Sequence, residues 1–123
     1  RYSLSAMIEL AEVYSQNIKI KAKDIAQNQK IPLQYLEQIL LKLKRKNLIL
    51  ATKGPGGGYV LAKKPSSINV HEIIVESPSA IVGCLISKKS CVRSDLCKAR
   101  PFWHKLNAKL SDILINTTLD ELL

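Results

Sequence analysis

Three cysteines, Cys84, Cys91 and Cys97, fall within one short stretch at Cys-x6-Cys-x5-Cys spacing, and the rest of the 123-residue chain has none. The thiolate is the metal-binding form of cysteine, and thiolates are the usual ligands of iron–sulfur clusters. Three of them leave one coordination position to fill on either a two-iron or a four-iron cluster. Lys88, Lys89, Arg93, Lys98 and Arg100 surround the stretch, and positive charge both favours the thiolate and offsets the charge of a cluster. Two other chemistries stay open. Structural zinc sites usually show a tight knuckle of two cysteines two to four residues apart, which this chain lacks. Disulfide-based thiol sensing needs only two cysteines close in space. A trio of inert core thiols fits less well, because these cysteines sit among charged residues.

His104 is the nearest candidate for a further ligand, seven residues after Cys97. On one helix the two would share a face about two turns, or ~10 Å, apart, so His104 could ligate only if Cys97 lies before the helix on a folded-back loop. The second histidine, His71, reads as structural or exposed. With two histidines, no nucleophile–base pair and no metal-hydrolase motif, the chain does not read as an enzyme. It has no run of eighteen apolar residues to span a membrane and no secretory signal pattern. The odd cysteine count then fits a reducing cytoplasm better than a secreted disulfide scaffold. The chain opens at Arg1 rather than Met, so a few residues are expected to precede it.

Leu4, Met7, Ile8, Ala11 and Tyr14 at helical spacing predict a first amphipathic helix. Residues 17–21 break the pattern, and a short helix over about Ala22–Asn28 follows, with Ala22, Ile25 and Ala26 on its buried side. After the turn Gln29-Lys30-Ile31, Pro32 suits the first turn of a helix running to Lys46. Leu33, Leu36, Ile39, Leu40 and Leu43 form its apolar stripe, and Gln34, Tyr35, Glu37, Gln38, Lys42 and Arg45 occupy its other sides. Two short helices with a tight turn make a helix-turn-helix pattern, with Pro32–Lys46 as the recognition helix. A strand-like run over Leu48–Thr52, a loop from Lys53 holding four of the five glycines, and a second run over Tyr59–Ala62 predict a β-hairpin. A basic hairpin directly after a helix-turn-helix reads as a wing, whose glycines let the backbone approach another surface, here the minor groove. The rival reading, a phosphate-binding P-loop, fails because no Gly-Lys-Ser/Thr follows.

The chain carries a formal net charge of +9, and the stretch from Ile25 to His71 sets eight basic residues (Lys30, Lys42, Lys44, Arg45, Lys46, Lys53, Lys63 and Lys64) against Glu37 alone. Such a patch is the electrostatic footprint of a polyanion partner, although a solvated lysine-rich surface would look the same by charge alone. Ser67 and Asn69 are candidate caps of a linker helix through Val70, Ile73 and Ile74 that Pro78 ends. Pro101 opens a last long helix whose stripe, Trp103, Leu106, Leu110, Ile113 and Leu114, is close to a heptad seam. Thr118 and Glu121 have capping-box spacing for a final turn. A long striped helix outside a small winged-helix core needs a cover. A homodimer is the simplest, because two-fold proteins match two-fold operators; packing back on its own core is the alternative.

The expected architecture is therefore mainly α with a small β-hairpin. A winged helix-turn-helix domain with its linker helix spans 1–77, a cysteine-containing cluster loop 78–100, and a dimerisation helix with a C-terminal turn 101–123. Tyr35-Leu36-Glu37-Gln38, Gly54-Pro55-Gly56-Gly57-Gly58-Tyr59, the three cysteines and Thr117-Thr118-Leu119-Asp120-Glu121-Leu122 together resemble the Rrf-two type of bacterial winged-helix regulators. The resemblance covers essentially the whole chain.

The resemblance implies a homodimer that reads a pseudo-palindromic promoter site in double-stranded DNA and whose binding changes with the state of an iron–sulfur cluster; the expectation is a cytoplasmic bacterial regulator, a repressor. It implies that Gln34, Glu37 and Gln38 face base edges and that Lys53 enters the minor groove. Tyr35, Lys42 and Arg45 on the helix and Gly54, Gly56, Gly57, Gly58 and Tyr59 on the wing complete the expected DNA-binding set. Gln can pair bidentately with adenine, while a carboxylate accepts from cytosine and repels phosphate, so Glu37 suits selecting sequence rather than adding affinity. Relatives commonly carry Arg where this chain has Lys53. The more strongly hydrated ammonium is expected to discriminate groove width less.

In the two-iron branch of that family a His lies three residues after the third cysteine. Here the position is Arg100, which cannot ligate as a cation. In nitric-oxide-sensing relatives an acid near the start of the partner subunit's first helix completes a four-iron cluster; the matching position is Arg1, with Glu9 the closest acid. The leading expectation is a two-iron cluster held by Cys84, Cys91 and Cys97. The alternatives are a thiol-redox or metabolite-responsive regulator without a cluster, and a winged-helix module that docks an acidic protein partner.

Overall fold

The computed structural model of the chain describes residues 2–74 and 98–123. Arg1, Pro78 and the three cysteines, and with them the expected cluster ligands and the expected end of the linker helix, lie outside the described residues. In chain order the elements are α1 (Tyr2–Glu12), a 3-10 turn (Tyr14–Gln16), α2 (Ala22–Gln29), α3 (Leu33–Arg45), β1 (Ile49–Thr52), β2 (Gly58–Leu61), a 3-10 turn (Pro65–Ser67), α4 (Val70–Ile74), α5 (Arg100–Asn116) and a closing 3-10 turn (Leu119–Leu122). The mostly helical body with one antiparallel hairpin is the one the periodicities predict.

The core forms where three helical stripes meet. Met7 and Leu10 of α1, Ile25 of α2, and Leu36, Leu40 and Leu43 of α3 are each no more than 1% exposed. Spacings of three and four residues put such side chains on one face of their helix. Fully burying each contributes roughly 1.5–3 kcal/mol. Helices of 8 to 13 residues need that burial, because isolated helices of this length are marginal in water. Ile49 and Leu61 of the hairpin, Ile68 ahead of α4 and Leu119 of the C-terminal turn close the same core.

Two expected stripe residues lie elsewhere. Leu33 is 41% exposed. It is the first residue of α3, and helical side chains lean toward the N-terminus, so it projects past the helix end rather than onto the core. Tyr14 falls beyond the end of α1, in the 3-10 turn, and is 37% exposed.

The bend between α2 and α3 is a Schellman ending. Ile31 N–H donates to the Ala26 carbonyl (2.9 Å) and Lys30 N–H to the Gln27 carbonyl (3.4 Å), with Lys30 left-handed at φ 55°. Helix α3 ends in the same motif: Leu48 N–H donates to the Leu43 carbonyl (3.1 Å) and Asn47 N–H to the Lys44 carbonyl (3.0 Å), with Asn47 at φ 60°. In each case the residue after the bend, Ile31 or Leu48, is buried, which fixes the direction in which the chain leaves the helix. Pro32 stands just outside α3 rather than within its first turn, and its carbonyl accepts the Leu36 N–H at 3.0 Å.

The hairpin pairs Ile49 with Leu61 and Thr52 with Gly58. A third segment joins it that the broken pattern over 17–21 did not reveal. Tyr59 N–H donates to the Ile20 carbonyl (2.7 Å), and Ile20 N–H to the Tyr59 carbonyl (3.1 Å). The approach is close enough that a Cβ on Gly58, at φ +146°, would lie 2.9 Å from the Ile20 carbonyl group. Only glycine fits there without strain.

Helix α5 runs for 17 residues without burying one of them. The chain then returns to the body. Val70 N–H donates to the Thr117 carbonyl (2.9 Å) and Leu119 N–H to the Ile68 carbonyl (2.8 Å), and the Leu119 side chain is fully buried. The capping box expected of Thr118 and Glu121 starts this final turn.

Leu119→Ala should cost about 2–5 kcal/mol, read as a lower urea midpoint, because it empties a core position. Gly58→Ala should cost more than about 1 kcal/mol and speed amide exchange at Tyr59, where the bridge to Ile20 would open.

Candidate nucleic-acid interface

Opposite its buried stripe, α3 turns Gln34, Tyr35, Glu37, Gln38, Lys42, Lys44 and Arg45 to solvent. Gln34, Gln38, Leu41 and Arg45 recur at four, three and four residues and so share one face. Leu41, 48% exposed, was missing from the sequence-derived set. The signal was its phase, since it is the one leucine of α3's interior outside the buried stripe. Lys42, Lys44 and Arg45 lie in the last turn, where cations complement the helix dipole. Tyr35 is 49% exposed and meets the Tyr2 ring edge-on, with centroids 5.6 Å apart and planes at 82°, so the start of α1 braces the first turn of α3.

At the hairpin tip Lys53, Gly54 and Gly56 are exposed, Gly57 and Gly58 are buried, and Tyr59 is half-buried. Gly57 N–H donates to the Gly54 carbonyl at 2.9 Å and closes the turn. A Cβ on Gly57 would stand 2.1 Å from the Thr52 carbonyl oxygen. Gly57 and Gly58 therefore serve close approach within the protein's own hairpin, while Gly54 and Gly56 lie at its outer surface. Behind the wing, Lys63 pairs with Glu72 at 3.7 Å, with the two side chains 44% and 37% exposed. An ion pair so open to water contributes little stability.

Several side chains considered as ligands are placed. His104 is exposed on α5, one turn past Arg100, and His71 is half-buried in α4. Among the described residues no group of three or more His, Cys, Asp or Glu is arranged to hold a metal ion. Glu9 is buried, with 8% exposure, and both of its carboxylate oxygens are engaged. Oε1 accepts from Asn28 Nδ2 at 2.6 Å and Oε2 from Gln29 Nε2 at 2.8 Å. Glu9 thus fastens α1 to the end of α2, and the two amides satisfy a carboxylate that would otherwise be costly to bury.

Asn69 makes the cap for which it and Ser67 were candidates. Glu72 N–H donates to Asn69 Oδ1 (2.9 Å), and Asn69 N–H to Glu72 Oε2 (3.0 Å), a reciprocal capping box at the start of α4. Lys46, which sequence reasoning counted only as charge, donates from Nζ to the carbonyls of Glu72 (3.2 Å) and Ile73 (3.4 Å).

On α5 the expected seam residues Trp103, Leu106, Leu110 and Leu114 are half-buried, and Ile113 is 62% exposed. Phe102 and Ile115 are also exposed. No helix among the described residues is long and apolar enough to cross a membrane.

Known proteins share this arrangement. Residues 1–123 match the family Rrf2, described as an iron-dependent transcriptional regulator. The chain is 36% identical over 124 residues to the HTH-type transcriptional regulator IscR of Pectobacterium atrosepticum, covering 99% of this chain and 74% of that protein. It is 37% identical to the regulator of the same name from Klebsiella pneumoniae, over 99% of this chain and 75% of that one. Among solved structures, CymR (YrzC), the global cysteine regulator of B. subtilis, superposes with a TM-score of 0.77 at 31% identity, covering 99% of this chain and 90% of that one. IscR of T. potens does so with a TM-score of 0.77 at 28% identity, covering 98% and 80%. These relatives are transcription regulators and not enzymes, in keeping with the lack of catalytic machinery in the sequence. With the family match running from the first residue to the last, the chain belongs to the Rrf2 family of transcriptional regulators.

Proposed function

We propose that this chain is a homodimeric, sequence-specific repressor that binds a pseudo-palindromic promoter site in the bacterial cytoplasm and answers to an iron–sulfur cluster held by Cys84, Cys91 and Cys97. The observation that carries the DNA-reading part is the outer face of α3: glutamines, a glutamate and cations on a helix whose opposite face is locked into the core. Gln34 and Gln38 present amides suited to adenine, and Glu37 a carboxylate suited to cytosine. Arg45 and Lys42 suit phosphate, which positions the reader without specifying sequence. Leu41 supplies an apolar contact of the kind that a thymine methyl takes. Lys53 at the wing tip reaches for the minor groove.

Dimerisation is supported by α5, which buries none of its residues and exposes Phe102 and Ile113 on the side that also carries the half-buried Leu106 and Leu110. A second copy of the same helix covers such a face with two-fold symmetry. The two α3 helices would then read half-sites one helical turn apart.

The cysteine set fits a cluster in its chemistry: three thiolates are present in the sequence for three of its coordination positions. When bound, the cluster would supply a charge and a set of bonds sensitive to oxidants and to iron supply. A two-iron cluster is favoured over a four-iron one, because Glu9, the nearest acid to the position a four-iron scheme would use, is already held by Asn28 and Gln29. A second reading, thiol-redox control without a cluster, draws support from the likeness to CymR, a cysteine regulator with one structure in an oxidised form.

Anaerobic isolation decides between the two. The cluster reading expects a coloured protein with iron and sulfide bound, and loss of both in Cys84→Ser, Cys91→Ser and Cys97→Ser. A colourless, iron-free protein whose DNA affinity instead changes with thiol oxidation would favour the second reading. Glu37→Ala should relax base preference at one position by about 1–3 kcal/mol while raising affinity for unrelated DNA. Lys53→Ala should weaken binding across sequences and lower the slope of log affinity against log salt by about 1. A protein that binds DNA with no salt dependence and no base preference would instead point to docking of an acidic protein partner.

A further inference from the structure

Lys46 joins α3 to α4 by side-chain hydrogen bonds. It is the residue on which α3 ends, and the Schellman motif around Asn47 and Leu48 fixes its backbone. Its half-buried side chain crosses to α4, where Nζ donates to the carbonyls of Glu72 and Ile73. Helix α4 is described over Val70–Ile74. The Asn69–Glu72 capping box secures its start. The Lys46 ammonium holds the carbonyls of its described turn. Ten residues beyond Ile74 in sequence comes Cys84, the first of the three cysteines.

We propose that Lys46 is a positioning residue that makes the recognition helix and residues 70–74 of α4 move as one body, so that DNA held by α3 steadies α4, and a shift of α4 is felt at α3. By linkage the coupling acts equally in both directions. The proposal rests on α3 being the DNA-reading helix, as argued above; it does not need the cluster.

The test uses the full chain and two substitutions. Lys46→Met keeps the length and apolar stem but removes the ammonium, while Lys46→Arg keeps a cation and serves as the conservative rescue. The probe is a 30-bp duplex that the wild-type protein has enriched from a random-sequence pool. Hydrogen exchange is followed at the amides of residues 70–74 with and without the duplex. In the wild type and in Lys46→Arg the duplex should slow exchange there by about tenfold. In Lys46→Met the slowing should vanish, with α1–α3 still protected and the thermal midpoint little changed. If Lys46→Met does not fold, Lys46→Gln carries the same expectation.

Equal slowing in the methionine and wild-type proteins would overturn the proposal, as would no slowing in the wild type. A second readout is the ratio of DNA affinities of iron-loaded and iron-free protein, which should fall toward one in Lys46→Met. The wild-type iron content reports separately on the cluster: an iron-free wild type removes that reading, and the exchange comparison still decides the role of Lys46.

Discussion

The structure depends on the burial of one face of α3. Leu36, Ile39, Leu40 and Leu43 are drawn into the core with α1 and α2, and this single commitment sets the rotation of the helix about its axis. Once it is set, the polar residues between those leucines have only solvent to face. The polar face is thus a by-product of packing: its side chains are presented by a helix that cannot roll without exposing its stripe. Both ends of the arrangement are fixed by local chemistry, with a left-handed Lys30 before the helix and a left-handed Asn47 after it. Neither position is glycine, so each bend carries a small conformational cost that the buried Ile31 and Leu48 beyond it offset.

The rest of the body serves the same end. Glu9 ties α1 to the last turn of α2 through two side-chain amides, and Ile20 ties the segment between those helices to the wing. The C-terminal turn places Leu119 in the core beside Ile68. Helix α5 therefore runs into an anchored body, and its orientation is held at that end by the paired backbone of 68–70 and 117–119.

Much of this was legible in the sequence because it rests on local signals. Period-3.6 leucines gave α3, a glycine cluster between two apolar runs gave the hairpin, and Thr118 with Glu121 gave the closing turn. What was not legible required knowing which distant backbone lies nearby. Ile20 fell in the break between two helices because a single β-bridge has no periodicity. Glu9 read only as the acid closest to a possible cluster position, because its partners stand 19 and 20 residues away. Lys46 was one cation in a basic run, and its role depends on carbonyls 26 and 27 residues further on. Leu33 was misjudged for a different reason, since periodicity says which face a residue shares but not whether the helix end reaches past the core.

The wing glycines have one further consequence. Gly57 and Gly58 are held against Thr52 and Ile20, and Gly54 takes a backbone conformation, φ +98°, that other residues resist. Gly56 alone among the four has neither restraint: a Cβ there meets nothing within 4 Å. The wing behaves as a rigid tool with one exchangeable bit. Its reach and chemistry at the tip can be rewritten at Gly56, by a longer cation, a bulky stop or a spectroscopic label, while the hairpin behind it stays as it is.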